Sequence, residues 1–142
     1  MSLIPRVPLL LGLAGLIPFV WGLVTSFVAV PALSDYFVGF GVLADYGMII
    51  LAFMSGVIWG FATRATGRQA TTFYVISVIP ALWAFFFAFG ENTLLTLAAG
   101  FLFILPVDIA AARARLAPDW WPRLRLLLTA VVVPCLVIGH FA

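Results

Sequence analysis

Charge is what this chain has least of. Only 8% of its 142 residues are Asp, Glu, Lys or Arg, against about a quarter in an ordinary soluble domain. Hydrophobic residues make up 65%, and the mean hydropathy is +1.26, so water is not the main solvent of the folded chain. Lysine is absent; all seven basic residues are arginines. A single cysteine, Cys135, lies in an apolar run, which excludes a disulfide framework and a multi-cysteine metal site. A single histidine, His140, stands two residues from the C-terminus. It excludes paired-histidine haem ligation within one copy, and it leaves no Ser–His–acid constellation. No basic stripe lies on a polar surface, so nucleic acid is not a partner. No glycine-rich phosphate loop follows a strand. The residues define no catalytic, cofactor-binding or metal site, and the chain is read as a non-enzyme without a cofactor.

Long apolar runs are what it has instead. A helix needs about 20 predominantly apolar residues to cross roughly 30 Å of hydrocarbon. Five such stretches are expected, at about 8–30, 45–63, 71–89, 93–112 and 123–141. The first follows Arg6 and exceeds the 7–15 apolar residues of a typical signal peptide, so it is read as a retained span. The segment Pro31–Ala44, with Asp35, Tyr36 and Gly39–Phe40–Gly41, is placed at the membrane interface, with Asp45 as the N-cap of the second span. Gly90–Glu91–Asn92 reads as a tight helix–helix turn, Gly90 ending one helix and Asn92 capping the next.

The arginines orient these spans. Arg6 precedes the first, Arg64 and Arg68 join the second to the third, and Arg113, Arg115, Arg123 and Arg125 flank the fourth connection. The alternate ends carry Asp35, Asp45 and Glu91 and no base. The positive-inside rule then puts the N-terminus and both basic loops in the cytoplasm and the C-terminus outside. The expected fold is an all-α, single-domain integral membrane bundle of five transmembrane helices.

Lipid tails give helices no hydrophobic reason to associate, so small residues and polar contacts must hold them together. Ala52, Gly56 and Gly60 recur every four residues and predict a tight contact face on the second span. Pro18, Pro80, Pro106 and Pro134 lie inside four spans and favour kinks. Phe85, Phe86, Phe87 and Phe89 crowd around Trp83, as a lipid-facing surface or gap filler rather than a cofactor pocket. The hydroxyls of Thr25, Ser26, Ser55, Ser77, Thr96 and Thr129 are expected to bond their own backbone or a neighbouring helix.

Asp108 stands about one turn inside the cytoplasmic end of the fourth span, within reach of Arg64, Arg113, Arg115 or Arg123. Two readings follow: an ion pair with Arg113 or Arg123 that staples helices together, or a proton or cation site facing a cavity. Trp120, Trp121, Arg123 and Arg125 form a basic, aromatic edge suited either to anchoring at the headgroups or to docking a partner or an anionic lipid at the cytoplasmic face.

Several phrases, taken in order, resemble a known family. They are Ile4–Pro5–Arg6, Tyr46–Gly47 leading to Trp59–Gly60, Pro80 with Trp83, Gly100–Phe101 leading to Asp108, and Trp120–Trp121–Pro122–Arg123–Leu124–Arg125 leading to Leu128–Thr129. The series is similar to the small inner-membrane proteins of domain of unknown function 3429, related to transmembrane protein 69. The resemblance implies a five-helix protein of a bacterial inner membrane without an assigned reaction, and by association a link to energy-transducing membranes. With the lipid bilayer and other membrane-protein subunits as partners, the expected role is that of a non-catalytic accessory subunit or assembly factor of a larger inner-membrane complex. The alternative is a small carrier or lipid- or quinone-handling protein that uses the kinked helices and Asp108.

Overall fold

A computed structural model describes residues 3–142. Every long element in it is a helix: α1 (Arg6–Ala14), α2 (Ile17–Thr25), α3 (Gly39–Ala62), α4 (Gly67–Phe87), α5 (Thr93–Arg113) and α6 (Trp121–Phe141). With α1 and α2 taken as one interrupted rod, five helical segments among the described residues are long and apolar enough to cross a membrane. The expected all-helical, five-span architecture is therefore present.

The first rod breaks for a chemical reason. Pro18 has no N–H to return to the preceding turn, and the chain tightens so that the Leu16 N–H bonds the Leu13 carbonyl at 3.1 Å. The Gly15 carbonyl at the break accepts from the Tyr46 hydroxyl of α3 at 3.0 Å. Pro80, Pro106 and Pro134 lie within helices that run on through them. Beside Pro80, the Ala81 N–H donates to the Ser55 hydroxyl of α3 at 3.1 Å. A polar neighbour thus satisfies a backbone group at the proline.

α3 starts six residues earlier than the charge pattern indicated. Val38 is extended and Gly39 adopts φ +52°, left-handed backbone that favours glycine. That pair turns the chain into a helix well before Asp45. Asp45 is consequently not an N-cap but an exposed residue inside the helix. The glycines that made this stretch look unhelical serve close packing: a Cβ on Gly41 would strike the Asp35 carbonyl. At the next turn Gly90 is also left-handed (φ +72°). Asn92 precedes α5 but makes no side-chain cap, and the Thr93 hydroxyl bonds the Gly90 carbonyl instead, at 2.8 Å.

α3 is the hub of the bundle, packing against α2, α4, α5 and α6, whereas α1 leans mainly on α6. Two apolar clusters fill the interior. Phe19, Leu43, Leu51, Leu97, Phe101 and Leu136 occupy one half. Met54, Ile58, Phe73, Ile104 and Leu116 occupy the half toward the arginine loops. Both basic loops lie at the same end, because Arg64 Nη1 donates to the Leu116 carbonyl at 3.2 Å. Asp35, Asp45 and the C-terminal Ala142 share a recess at the other end.

Candidate functional site

The fourth connection is built to turn α6 back under α5. After Arg113, Arg115 takes a left-handed φ of 61°. The Leu116 N–H reaches the Ala111 carbonyl at 2.9 Å, and the Arg115 N–H reaches that of Ala112 at 3.0 Å. These two bonds make a Schellman helix end with arginine where glycine is usual. Leu116 and Ala117 are buried against the bundle. α6 then opens with Trp121 and Pro122 in its first turn, where proline costs no hydrogen bond.

This turn places two residues of α6 on one carboxylate. The Trp121 indole N–H donates to Asp108 Oδ1 at 2.8 Å, and Arg125 Nε donates to Asp108 Oδ2 at 2.9 Å. Trp121 and Arg125 are four residues apart and share a helix face. Asp108 is 1% exposed and Arg125 3%, so the pair is enclosed. A charge taken out of water is tolerated only when it is paired and its hydrogen bonds are made, and both carboxylate oxygens meet that demand. Trp121 is held in turn by the Phe61 ring of α3, edge-on at a centroid distance of 5.4 Å. The Arg125 guanidinium carbon lies 6.0 Å from the Trp121 ring centre, at the outer limit of a cation–π contact. The arrangement joins α3, α5 and α6 at one point. Among the described residues no three His, Cys, Asp or Glu side chains converge.

The residues singled out from the sequence fall differently. Asp108 pairs with Arg125 rather than with Arg113. Five helical positions past Asp108, Arg113 points around the helix and is exposed, bordering a polar recess with Arg64, Arg115 and Asp119. Arg123 is half-buried, two residues and so about half a turn from Arg125. The edge expected for docking is thereby divided: Trp121 and Arg125 turn inward, while Trp120 and Arg123 stay half-exposed. The inward place of Arg125 could have been read from its register, since Trp121, Arg125, Thr129, Val132 and Leu136 form one helical stripe.

Ala52, Gly56 and Gly60 are not the internal contact face the spacing suggested. All three are exposed, and a Cβ on Gly56 or Gly60 would meet nothing within 4 Å. The glycines that admit neighbours are elsewhere. A Cβ on Gly22 would lie 2.8 Å from Leu43 Cγ and one on Gly100 2.6 Å from Leu51 Cδ2, and one on Gly139 would collide with Leu43 Cδ1. α3 therefore packs through Leu43 and Leu51, knobs seated on glycines of α2, α5 and α6. Four-residue spacing within one helix does not reveal glycines that work singly against a leucine on another.

Phe85, Phe86, Phe87 and Phe89 are exposed, and the Trp83 indole N–H donates to the Thr96 carbonyl at 2.7 Å, joining α4 to α5. The hydroxyls of Thr25, Ser26 and Ser77 bond carbonyls of their own turns.

The described residues form a bundle of five apolar spans pinned by an enclosed ion pair, which defines a polytopic helical membrane protein. The chain matches the family described as Protein of unknown function (DUF3429) over residues 4–141, and it belongs to that family. It is 34% identical over 145 residues to Transmembrane protein 69 of Xenopus tropicalis, with 94% of this chain aligned. The chain spans about half the length of that relative, 53%. No solved structure matches.

Proposed function

We propose that the chain is a non-catalytic accessory subunit or assembly factor within a larger inner-membrane complex, with its arginine loops on the cytoplasmic side. The observation that carries this reading is the open notch on α3. Ala52, Gly56 and Gly60 present an exposed strip of small residues, and among the described residues none lies within 4 Å of a Cβ built on either glycine. Small residues allow a second helix backbone to approach closely where lipid gives no other drive for association. Most of the described residues lie in the helices, which makes a helical face the natural interaction surface. The exposed Arg113 and Arg115 suit the anionic headgroups of a cytoplasmic leaflet. A carrier would need a polar passage to Asp108. Both oxygens of that residue are already bonded, and the cleft nearest to it is walled almost wholly by apolar side chains.

Purification in a mild detergent followed by mass spectrometry tests the reading. The expected result is a reproducible set of co-purifying membrane subunits, lost in a Gly56→Leu/Gly60→Leu variant that still folds. Migration of the wild type as a lone 15.4 kDa chain, in detergent that preserves respiratory complexes, would count against it.

A further inference from the structure

A cleft of about 350 Å³ opens between α1, α3 and α6, with Phe19 of α2 and Phe101 of α5 also in its wall. Sites for small molecules commonly measure about 300–1,000 Å³. Five aromatic rings stand around it: Phe19, Tyr46, Phe53, Phe101 and Trp121. Its lip includes Leu11 and Phe53, which are 68% and 63% exposed. The mouth therefore faces sideways, where acyl chains surround the bundle.

Two residues of its lining each carry a hydrogen-bonding group that is left over just beneath the wall. Arg125 Nη2 and the Thr129 hydroxyl are buried without a hydrogen-bond partner, on residues only 3% and 5% exposed. Four positions apart on α6, they lie on the same helix face. A buried donor without an acceptor is costly, and an acceptor oxygen brought by a ligand would relieve both groups. That oxygen should be uncharged. Asp108 already neutralises Arg125, so an anion in the cleft would leave a net negative charge buried. The aromatic walls suit a flat ring.

We propose that this cleft binds a neutral, flat, carbonyl-bearing amphiphile, an isoprenoid quinone. One quinone carbonyl accepts from Arg125 Nη2 and Thr129 Oγ1, and the tail leaves past Leu11 and Phe53 into the bilayer. This goes beyond the accessory-subunit reading, which needs no ligand.

The test titrates the purified full chain in detergent with decylubiquinone, following tryptophan fluorescence, since Trp121 forms part of the wall. Saturable quenching is expected. Thr129→Val keeps the side-chain shape but removes the hydroxyl, and should weaken binding about tenfold. Ile50→Phe narrows the cleft without touching either donor, and should weaken it at least as much. Both variants are checked for an unchanged thermal unfolding midpoint, and if one fails to fold the other still reads the site. Absence of saturable quenching, or equal affinity in a folded variant, overturns the proposal. Recovery of one tightly held phospholipid per chain that decylubiquinone does not displace would assign the cleft to a lipid and overturn it as well.

Discussion

Asp108 receives two hydrogen bonds from one face of α6, and the energetic consequence is asymmetric. Losing one member of a buried pair leaves the other charge uncompensated, at a cost of about 3–5 kcal/mol, whereas replacing both with apolar groups of similar size is often neutral. Arg125→Met should therefore lower unfolding free energy in detergent by about 3–5 kcal/mol. The Asp108→Leu/Arg125→Met double variant should recover most of that loss. Additive losses would show that the two side chains do not act as a pair. Trp121→Phe keeps a ring against Phe61 but removes one donor to a charged acceptor, and should cost about 1.5–3 kcal/mol. At this scale the sequence was half legible. Asp108 stood out because an acid in an apolar helix needs a partner, but the four arginines taken to be within reach, Arg64, Arg113, Arg115 and Arg123, did not include the one it pairs with, Arg125. The register of α6 puts Arg125 on its inward stripe, but that this stripe meets Asp108 depends on the turn at Arg115, and arginine gives no sign that it will adopt φ 61°.

At the scale of helices, α3 is held by leucines seated on single glycines. Leu43 is caught between Gly22 and Gly139, so it has nowhere to move when either gains a side chain. Overpacking of this kind typically costs about 1–3 kcal/mol. Gly22→Val should lower the thermal unfolding midpoint in detergent accordingly. Gly56→Val, on the open face, should change stability by no more than about 0.5 kcal/mol. Equal losses in the two variants would show that the Ala52–Gly60 strip is packed after all. Helix existence was readable from apolar run length alone, because a span must satisfy its own backbone in lipid. The ends were less readable. α3 gains the stretch Gly39–Ala44 because its glycines answer to the packing of the 26–38 segment, a tertiary cause invisible in local composition.

At the scale of the molecule, arginines gather in alternate connections, with Asp119 the one acid among them, and the connections between carry acids and no arginine. The structure gathers Arg64 with the 113–119 turn at one end, and Asp35 and Asp45 with the C-terminus at the other. That segregation was fully legible, since charged groups avoid hydrocarbon and their sign follows the side of the membrane. Which outward face meets a partner was not legible, because exposed leucine, phenylalanine and glycine are equally compatible with lipid. The account as a whole rests on the alternation of the connections across the bilayer. It is tested most directly by placing single cysteines at Arg68, Glu91 and Asp119 in a Cys135→Ala background and labelling intact and permeabilised cells with a membrane-impermeant thiol reagent. The account predicts that only the Glu91 position reacts in intact cells, with Arg68 and Asp119 reacting after permeabilisation. Reaction of Arg68 and Glu91 from the same side would contradict it.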